Sequence, residues 1–233
     1  FTLTGGAWDG TVKPLVDLWG FGTREPTDSL PAPDAIAKAL ALTGFQHLTF
    51  ENTHVKKTKP GITLDLGAIA KGYGVDAIAG VLTRAGIDDF LVEIGGELYG
   101  SGMNRHKKPW SVGITHPLKT GADAGLYKVV HLENRAIATS GDYRNFFEFQ
   151  GKIYSHIIDP RTGYPVDNQV VSASVIADTC TVADALATAF VVMDPEDSLA
   201  LVDTLENVEC LIIQKTPAGF TEFASRGFHA FVQ

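Results

Sequence analysis

The sequence predicts an α+β fold in a single domain, with mixed, largely antiparallel sheets and packed helices. Three observations carry this. Short strand-like runs come in pairs around Gly-containing turns, as at residues 146–158 about Gly151, which is the hairpin signature. Helical periodicity falls between the pairs with few clean strand–helix–strand units, which argues against a doubly wound parallel sheet. No fixed-period repeat, low-complexity tract or linker composition divides the 233 residues, a length that fits one large domain or two small ones.

Taken in order, Gly5-Gly6-Ala7-Trp8-Asp9 is a loop-like entry, and apolar residues at Val12, Leu15, Val16, Leu18 and Trp19 predict a short helix over 11–20. Pro26, Pro31 and Pro33 make 23–34 a surface loop, and Asp34 is the expected N-cap of a helix over 35–43. Residues 45–57 alternate loosely as a strand, with Lys56, Lys57 and Lys59 flanking a Pro60-Gly61 turn as a solvated hairpin tip. Residues 62–65 form a short strand that runs into a helix with Ile69, Val75, Ile78, Val81 and Leu82 on its apolar stripe, closed by Gly86. Residues 90–94 are a buried strand ending in Gly95-Gly96, and 103–109 are a basic loop tip. Strands are expected at 110–114, 126–132, 136–139, 146–150, 152–158, 170–176 and 209–214, the last followed by a hairpin through Pro217-Ala218-Gly219. His116-Pro117 reads as a strand-end turn. Val182, Leu186, Ala189, Phe190 and Met193 line one face of a helix over 179–193, with Asp178 and Thr179 suited to its N-cap, and 197–205 is a further helix.

The composition is that of an ordinary globular chain, 45% hydrophobic and 20% charged. A net charge of −8 argues against a nucleic-acid partner and against an anionic membrane surface. A phosphate ligand would need that charge offset locally by a metal or a few cations. Cys180 and Cys210 are too few for a disulfide framework and leave the redox compartment open. No run approaches the ~18 apolar residues of a membrane span. The chain opens without Met, at Phe1-Thr2-Leu3-Thr4, and is expected to be a fragment or a processed product.

Four stretches can carry chemistry. Residues 154–166 place His156, a general base suited to neutral pH, just ahead of the turn Asp159-Pro160-Arg161-Thr162-Gly163; the same residues also serve a hairpin whose polar groups only hold the turn. Asp65-Leu66-Gly67-Ala68-Ile69-Ala70-Lys71-Gly72 joins a strand end to a helix start, where backbone N–H groups and a nearby lysine favour an anion; small residues there equally serve tight packing. Asp184 and Thr188 lie four apart on one helix face and offer the oxygen ligands that Mg²⁺ prefers, or else Asp184 faces water and Thr188 bonds back along the helix. Thr139-Ser140-Gly141-Asp142-Tyr143 is a hydroxyl-rich turn, and Gly95-Gly96 permits a close backbone approach or forms a bulge.

Together, and in this order, these stretches resemble the ApbE-type flavin transferases. The matching segments are residues 5–9 with 14–22, 65–73, 138–143, 155–163 and 183–188. The resemblance implies a T-fold-like α+β domain over 1–233 that lacks the family's N-terminal portion. It implies FAD as substrate, Mg²⁺ as cofactor, and transfer of FMN to a Thr or Ser hydroxyl of a target protein with release of AMP. It further implies Mg²⁺ ligands at the Ala68 carbonyl, Asp184 and Thr188, FAD contacts at Ala7, Trp8, Asp9, Asp65, Lys71 and Ile157, and His156 as the base. Asp159 and Arg161 are expected to brace the loop that aims His156. The implied partners are flavin-accepting subunits of redox-driven ion pumps or other flavinylated proteins, with no nucleic acid. The implied location is periplasmic or extracytoplasmic, with a lipid anchor on the full-length protein. A Mg²⁺-dependent FAD pyrophosphatase, and a non-catalytic FAD-binding protein, are the alternatives.

Overall fold

The computed structural model describes residues 1–22, 29–117, 125–141 and 146–232. Asp142 and Tyr143 of the hydroxyl-rich turn lie outside the described residues, as do 23–28 of the proline-rich loop. In chain order the elements are α1 (Lys13–Leu18), α2 (Pro33–Leu40), β1 (Leu48–Glu51), β2 (His54–Lys57), α3 (Gly67–Arg84), β3 (Phe90–Ile94), β4 (Glu97–Ser101), β5 (Trp110–Thr115), β6 (Leu126–Leu132) and β7 (Arg135–Ser140). There follow β8 (Phe146–Phe149), β9 (Lys152–Ser155), β10 (Val170–Ala177), α4 (Cys180–Val192), α5 (Pro195–Val202), β11 (Glu209–Thr216) and β12 (Gly219–Ala224). The α+β class is as expected, and every described strand pairing is antiparallel. These elements gather into two compact units, Phe1–Leu66 with Arg144–Asp167, and Gly67–Tyr143 with Asn168–Gln233. No linker composition marks the first crossing, because the chain passes directly into the first turn of α3.

In the first unit, Leu15, Trp19, Ile36, Ala39 and Ile158 form the core. Trp19 stacks on Tyr154 at 5.7 Å between ring centroids, and Tyr154 stacks on Phe147 at 5.2 Å. The Trp19 Nε1–H donates to the Gly163 carbonyl at 2.8 Å, so the indole spans from the core to the turn at 159–163. Three expectations shift here. Pro33 enters α2 with φ already set, so Ala32 is the N-cap and Asp34 lies inside the first turn, where the helix dipole still favours it. The expected strand at 45–57 breaks into a 3-10 turn at Phe45–His47 and the β1–β2 hairpin, which reverses at Asn52 with φ +52, a conformation asparagine tolerates. Lys56 and Lys57 therefore lie in β2, not at a hairpin tip. Among the described residues, 62–65 pair with no strand; the Asp65 N–H donates to the Gly10 carbonyl at 2.8 Å.

In the second unit the sheet runs β12-β11-β10-β7-β4-β3. The central β10 is buried at all of its 8 positions, so both faces of the sheet are covered. The β5–β6 ribbon supplies Val112, Ile114, Val130 and Leu132 to a cluster with Ile137, Ile176, Leu211 and Ile213. A second cluster joins Val75 and Ala79 of α3 to Phe90, Val92, Ala136 and Cys180. The 170–176 alternation is therefore one of larger and smaller buried residues; Ser174 is satisfied by Thr139 at 2.8 Å. Gly95-Gly96 is a hairpin turn and not a bulge, with φ +62 and +103, the positive values a two-residue hairpin turn requires. Thr179 caps α4, its hydroxyl accepting the Val182 N–H at 3.4 Å, whereas Asp178 pairs with Arg135 and Asn207. Cys180 and Cys210 are both free and buried, and burial pushes the Cys210 thiol up to about 12.

Gly163 is the position on which the first unit's turn depends. Its φ is +80, and a Cβ there would sit 2.8 Å from Ile36 Cγ2. Gly163→Ala is expected to cost about 1–3 kcal/mol, measured by urea denaturation; a cost within error of zero would show that the turn relaxes freely.

Candidate functional site

The second unit brings Ala68, Lys71, Asp184 and Thr188 together. It does so because α3 and α4 approach closely at Gly72, where a Cβ would run into the Cys180 carbonyl and lie 2.9 Å from Asp184 Cβ. Asp76, one turn further along α3, accepts the Cys180 N–H (2.8 Å), the Thr181 N–H (2.8 Å) and the Thr181 hydroxyl (2.5 Å). This carboxylate from one helix thus satisfies the free N–H groups that open the other.

At this seam Asp184 is 2% exposed. Its Oδ2 accepts the Gly72 N–H at 3.0 Å. In a regular helix that N–H belongs to the carbonyl four residues back, which is Ala68. Ala68 therefore lies one helical turn before the residue whose N–H binds Asp184. Thr188 Oγ1 lies 3.1 Å from Ser140 Oγ at the end of β7, so neither a water-facing Asp184 nor a Thr188 bonded back to residue 184 describes this helix. Burial pushes the Asp184 carboxyl up to about 6, against the downward pull of the Gly72 N–H and of Lys71, and Glu97 adds a small upward push.

A carboxylate, a hydroxyl and a main-chain carbonyl are the hard oxygen donors of a Mg²⁺ site that keeps waters or takes ligand phosphates. Among the described residues no three His, Cys, Asp or Glu side chains gather, so a metal here depends on the hydroxyl and carbonyl oxygens. The buried carboxylate, which among the described residues accepts only the Gly72 N–H, fits a divalent cation. Lys71 pairs with Glu97, which is 1% exposed at the first position of β4. Ser140 belongs to the hydroxyl-rich stretch expected to carry chemistry, whereas Glu97 and Asp76 were not singled out from sequence. For Glu97 one signal existed, a charged residue directly after a Gly-Gly turn at a strand start.

The first unit holds Ala7, Trp8, Asp9, Asp65, His156 and Ile157. Ala7 is buried, and the Trp8 N–H donates to Thr4 Oγ1 at 3.1 Å. The Trp8 ring meets Phe45 edge-on at 5.7 Å. Its Nε1 is buried without a hydrogen-bond partner among the described residues, a donor suited to a ligand acceptor. Asp9 is committed to the fold, because Oδ1 accepts the Thr11 N–H (2.8 Å) and hydroxyl (2.6 Å), and Oδ2 accepts the Phe45 N–H (3.0 Å). Asp65 is tied to the same loop through Gly10.

His156 is half-buried, edge-on to Phe21 with ring centroids 6.3 Å apart. The residues beside it are pinned. The Ile157 N–H donates to Ser155 Oγ at 3.1 Å, and the Val166 N–H donates to the Ile157 carbonyl at 3.0 Å. Arg161 forks onto Asp159, Nε to Oδ1 and Nη2 to Oδ2, each at 2.9 Å. Asp159 and Arg161 thus brace the turn.

Comparison with known proteins agrees with the resemblance in the sequence. The ApbE family model matches residues 1–212. The FAD:protein FMN transferase of Vibrio cholerae is 44% identical over 230 residues, covering 99% of this chain and 68% of that protein. That of Escherichia coli K12 is 38% identical, with 98% and 66% covered. The chain thus spans about two thirds of the length of these relatives. Among solved structures, the flavin transferase ApbE from Vibrio cholerae superposes with a TM-score of 0.86 at 42% identity, covering 99% of this chain and 72% of that one. The apo flavinyl transferase ApbE of Pseudomonas stutzeri gives 0.85 at 34%, with 99% and 70% covered.

The raised Asp184 pKa carries a signed consequence. The unfolded carboxyl titrates near 3.8 and the folded one near 6, so between these values the folded chain holds more protons. Stability therefore falls as pH rises through that window, and above it the ionised carboxylate costs about 3 kcal/mol in the metal-free protein. Asp184→Asn is expected to stabilise the metal-free chain at pH 8 and to flatten its stability between pH 4 and 6, read from denaturation midpoints. A variant less stable than the parent at pH 8 would show that burial is not the dominant influence on this carboxyl.

Proposed function

Because the chain belongs to the ApbE family of flavin transferases, we propose that it moves FMN from FAD onto a Thr or Ser hydroxyl of a target protein, in a Mg²⁺-dependent reaction that releases AMP. The observation that carries the reading for this chain is Asp184, a buried carboxylate held by the Gly72 N–H beside Thr188, with Lys71 on the same unit. Asp184, Thr188 and the Ala68 carbonyl would hold the cation. Bound there, Mg²⁺ would polarise the phosphoryl oxygens and offset charge on the departing phosphate.

The chain's own groups supply the rest. Lys71, at the start of α3, adds a positive charge for the pyrophosphate. Trp8 offers an indole face for stacking and an unpartnered Nε1–H for an acceptor on the nucleotide. His156 takes the proton from the attacking hydroxyl. The new bond joins that oxygen to the FMN phosphorus, the pyrophosphate P–O bond breaks, and AMP leaves with the bridging oxygen. The braced turn at 159–163 holds the main chain that presents His156. Ala7, Asp9, Asp65 and Ile157 complete the dinucleotide contacts; the three main-chain and hydroxyl donors on the Asp9 carboxylate leave its backbone as the main surface for a ligand. The acceptors are flavin-carrying subunits of redox-driven ion pumps or similar proteins, met outside the cytoplasm by a lipid-anchored full-length form.

Incubation of the full-length protein with FAD and Mg²⁺, with and without an acceptor peptide, tests the reading. A flavinylated peptide is the expected product; FMN released equally without acceptor would mean that water is the nucleophile. His156→Ala is expected to lower the rate by about 10²–10⁴ with little change in FAD affinity, and Asp184→Ala to abolish both Mg²⁺ binding and turnover. An active Asp184→Ala protein would refute the metal assignment, and FAD binding without any conversion in the wild type would leave only flavin storage.

A further inference from the structure

Among the described residues, Glu97 is the most deeply buried charged side chain that the proposed chemistry does not use. Its side chain is 2% exposed, against 44% for its partner Lys71. Oε1 accepts from Lys71 Nζ, and Oε2 has no hydrogen-bond partner among the described residues. Burying a carboxylate is unfavourable unless it is paired and fully hydrogen-bonded. A half-satisfied one is the costly arrangement, and an uncharged residue would start β4 more cheaply.

The surroundings are built around the pair. Gly95 has φ +62, and a Cβ there would lie 3.2 Å from Lys71 Cδ and 3.7 Å from Glu97 Oε2. The turn without side chains therefore leaves the slot through which the lysine stem passes. At Gly74 a Cβ would meet Ile94 Cδ1 at 2.9 Å, so α3 lies directly against the end of β3, next to this turn. The α3–α4 seam at Gly72 holds the other side of the same helix. An ammonium has three N–H donors. One is engaged by Glu97 from the buried side, and two remain on the half-exposed side.

We infer that Glu97 is a positioning residue. Through Oε1 it fixes the Lys71 ammonium so that its remaining donors face the pyrophosphate of the flavin dinucleotide. A lone lysine at this exposure has a flexible four-carbon stem and must lose that freedom when the anion binds; the pair removes the freedom in advance. The inference rests on the assignment of Lys71 to the dinucleotide in the proposed function, and its test separates the two.

The test is equilibrium FAD binding in the presence of Mg²⁺ and the absence of acceptor, followed by flavin fluorescence, for the full-length wild type, Glu97→Gln, Lys71→Met and the double variant. Glu97→Gln keeps the volume and removes the charge. It is expected to raise the FAD Kd by roughly two- to tenfold, with no further effect once Lys71 is Met. A Glu97→Gln protein that binds FAD as the wild type does, while Lys71→Met binds it more weakly, overturns the positioning role and leaves the Lys71 assignment standing. Equal losses from Glu97→Gln in both backgrounds, with a matching fall in Tm, also overturn it, since they describe a purely structural carboxylate. Unchanged affinity in Lys71→Met removes the Lys71 assignment and this inference with it. If Glu97→Gln does not fold, Glu97→Asp gives the same comparison, because it keeps the charge but withdraws it by one methylene.

Discussion

The close contact of α3 with α4 at Gly72 is the constraint from which the second unit's chemistry follows. Without a Cβ at 72, the Cys180 carbonyl can sit against α3 and the Gly72 N–H can reach Asp184. One contact thus sets the helix spacing, removes a carboxylate from water and aims it. Asp76 reinforces the same seam by satisfying the first N–H groups of α4. Burial raises the Asp184 pKa, and a cation would relieve the cost of holding the carboxylate there. The buried carboxylate thus lowers the stability of the metal-free chain above pH 6.

The first unit works by a different means. It has a small core, and its order comes from side chains that bond the main chain across short loops. Asp9 joins residue 11 to residue 45, Trp19 reaches the Gly163 carbonyl, and Asp159 takes both the N–H and the guanidinium of Arg161. Such knots fix loop geometry without large apolar area. They explain how a segment with little regular structure presents His156 and Trp8 in defined settings. Asp9, which lies in one of the segments that resemble the family, thus spends its carboxylate on the fold.

Most elements were readable because their patterns are local. The period-3.6 stripe of 179–193, the strand at 90–94 and the hairpin about Gly151 each depend on neighbours in sequence. One error fell where a local signal met a non-local partner, and two where a neighbouring residue overrode the expected pattern. Residues 62–65 look like a strand, yet the Asp65 N–H finds Gly10 in place of a ladder. Residues 45–57 look continuous, yet Asn52 turns the chain back on itself. Asp34 looks like a cap, yet the proline before it opens the helix two residues ahead of the expected start.

The sequence by itself determined the α+β class, the helix that carries Asp184 and Thr188 on one face, the turn beside His156 and the resemblance to ApbE-type flavin transferases, because these are properties of spacing and residue type. Only the tertiary structure decided what those side chains meet. Asp184 receives an N–H from residue 72, Thr188 a hydroxyl from residue 140, and Lys71 a carboxylate from residue 97. These contacts join residues far apart in the chain through the close packing of helices on a sheet. No periodicity encodes them, because burial and pairing are set by whichever element folds against the other.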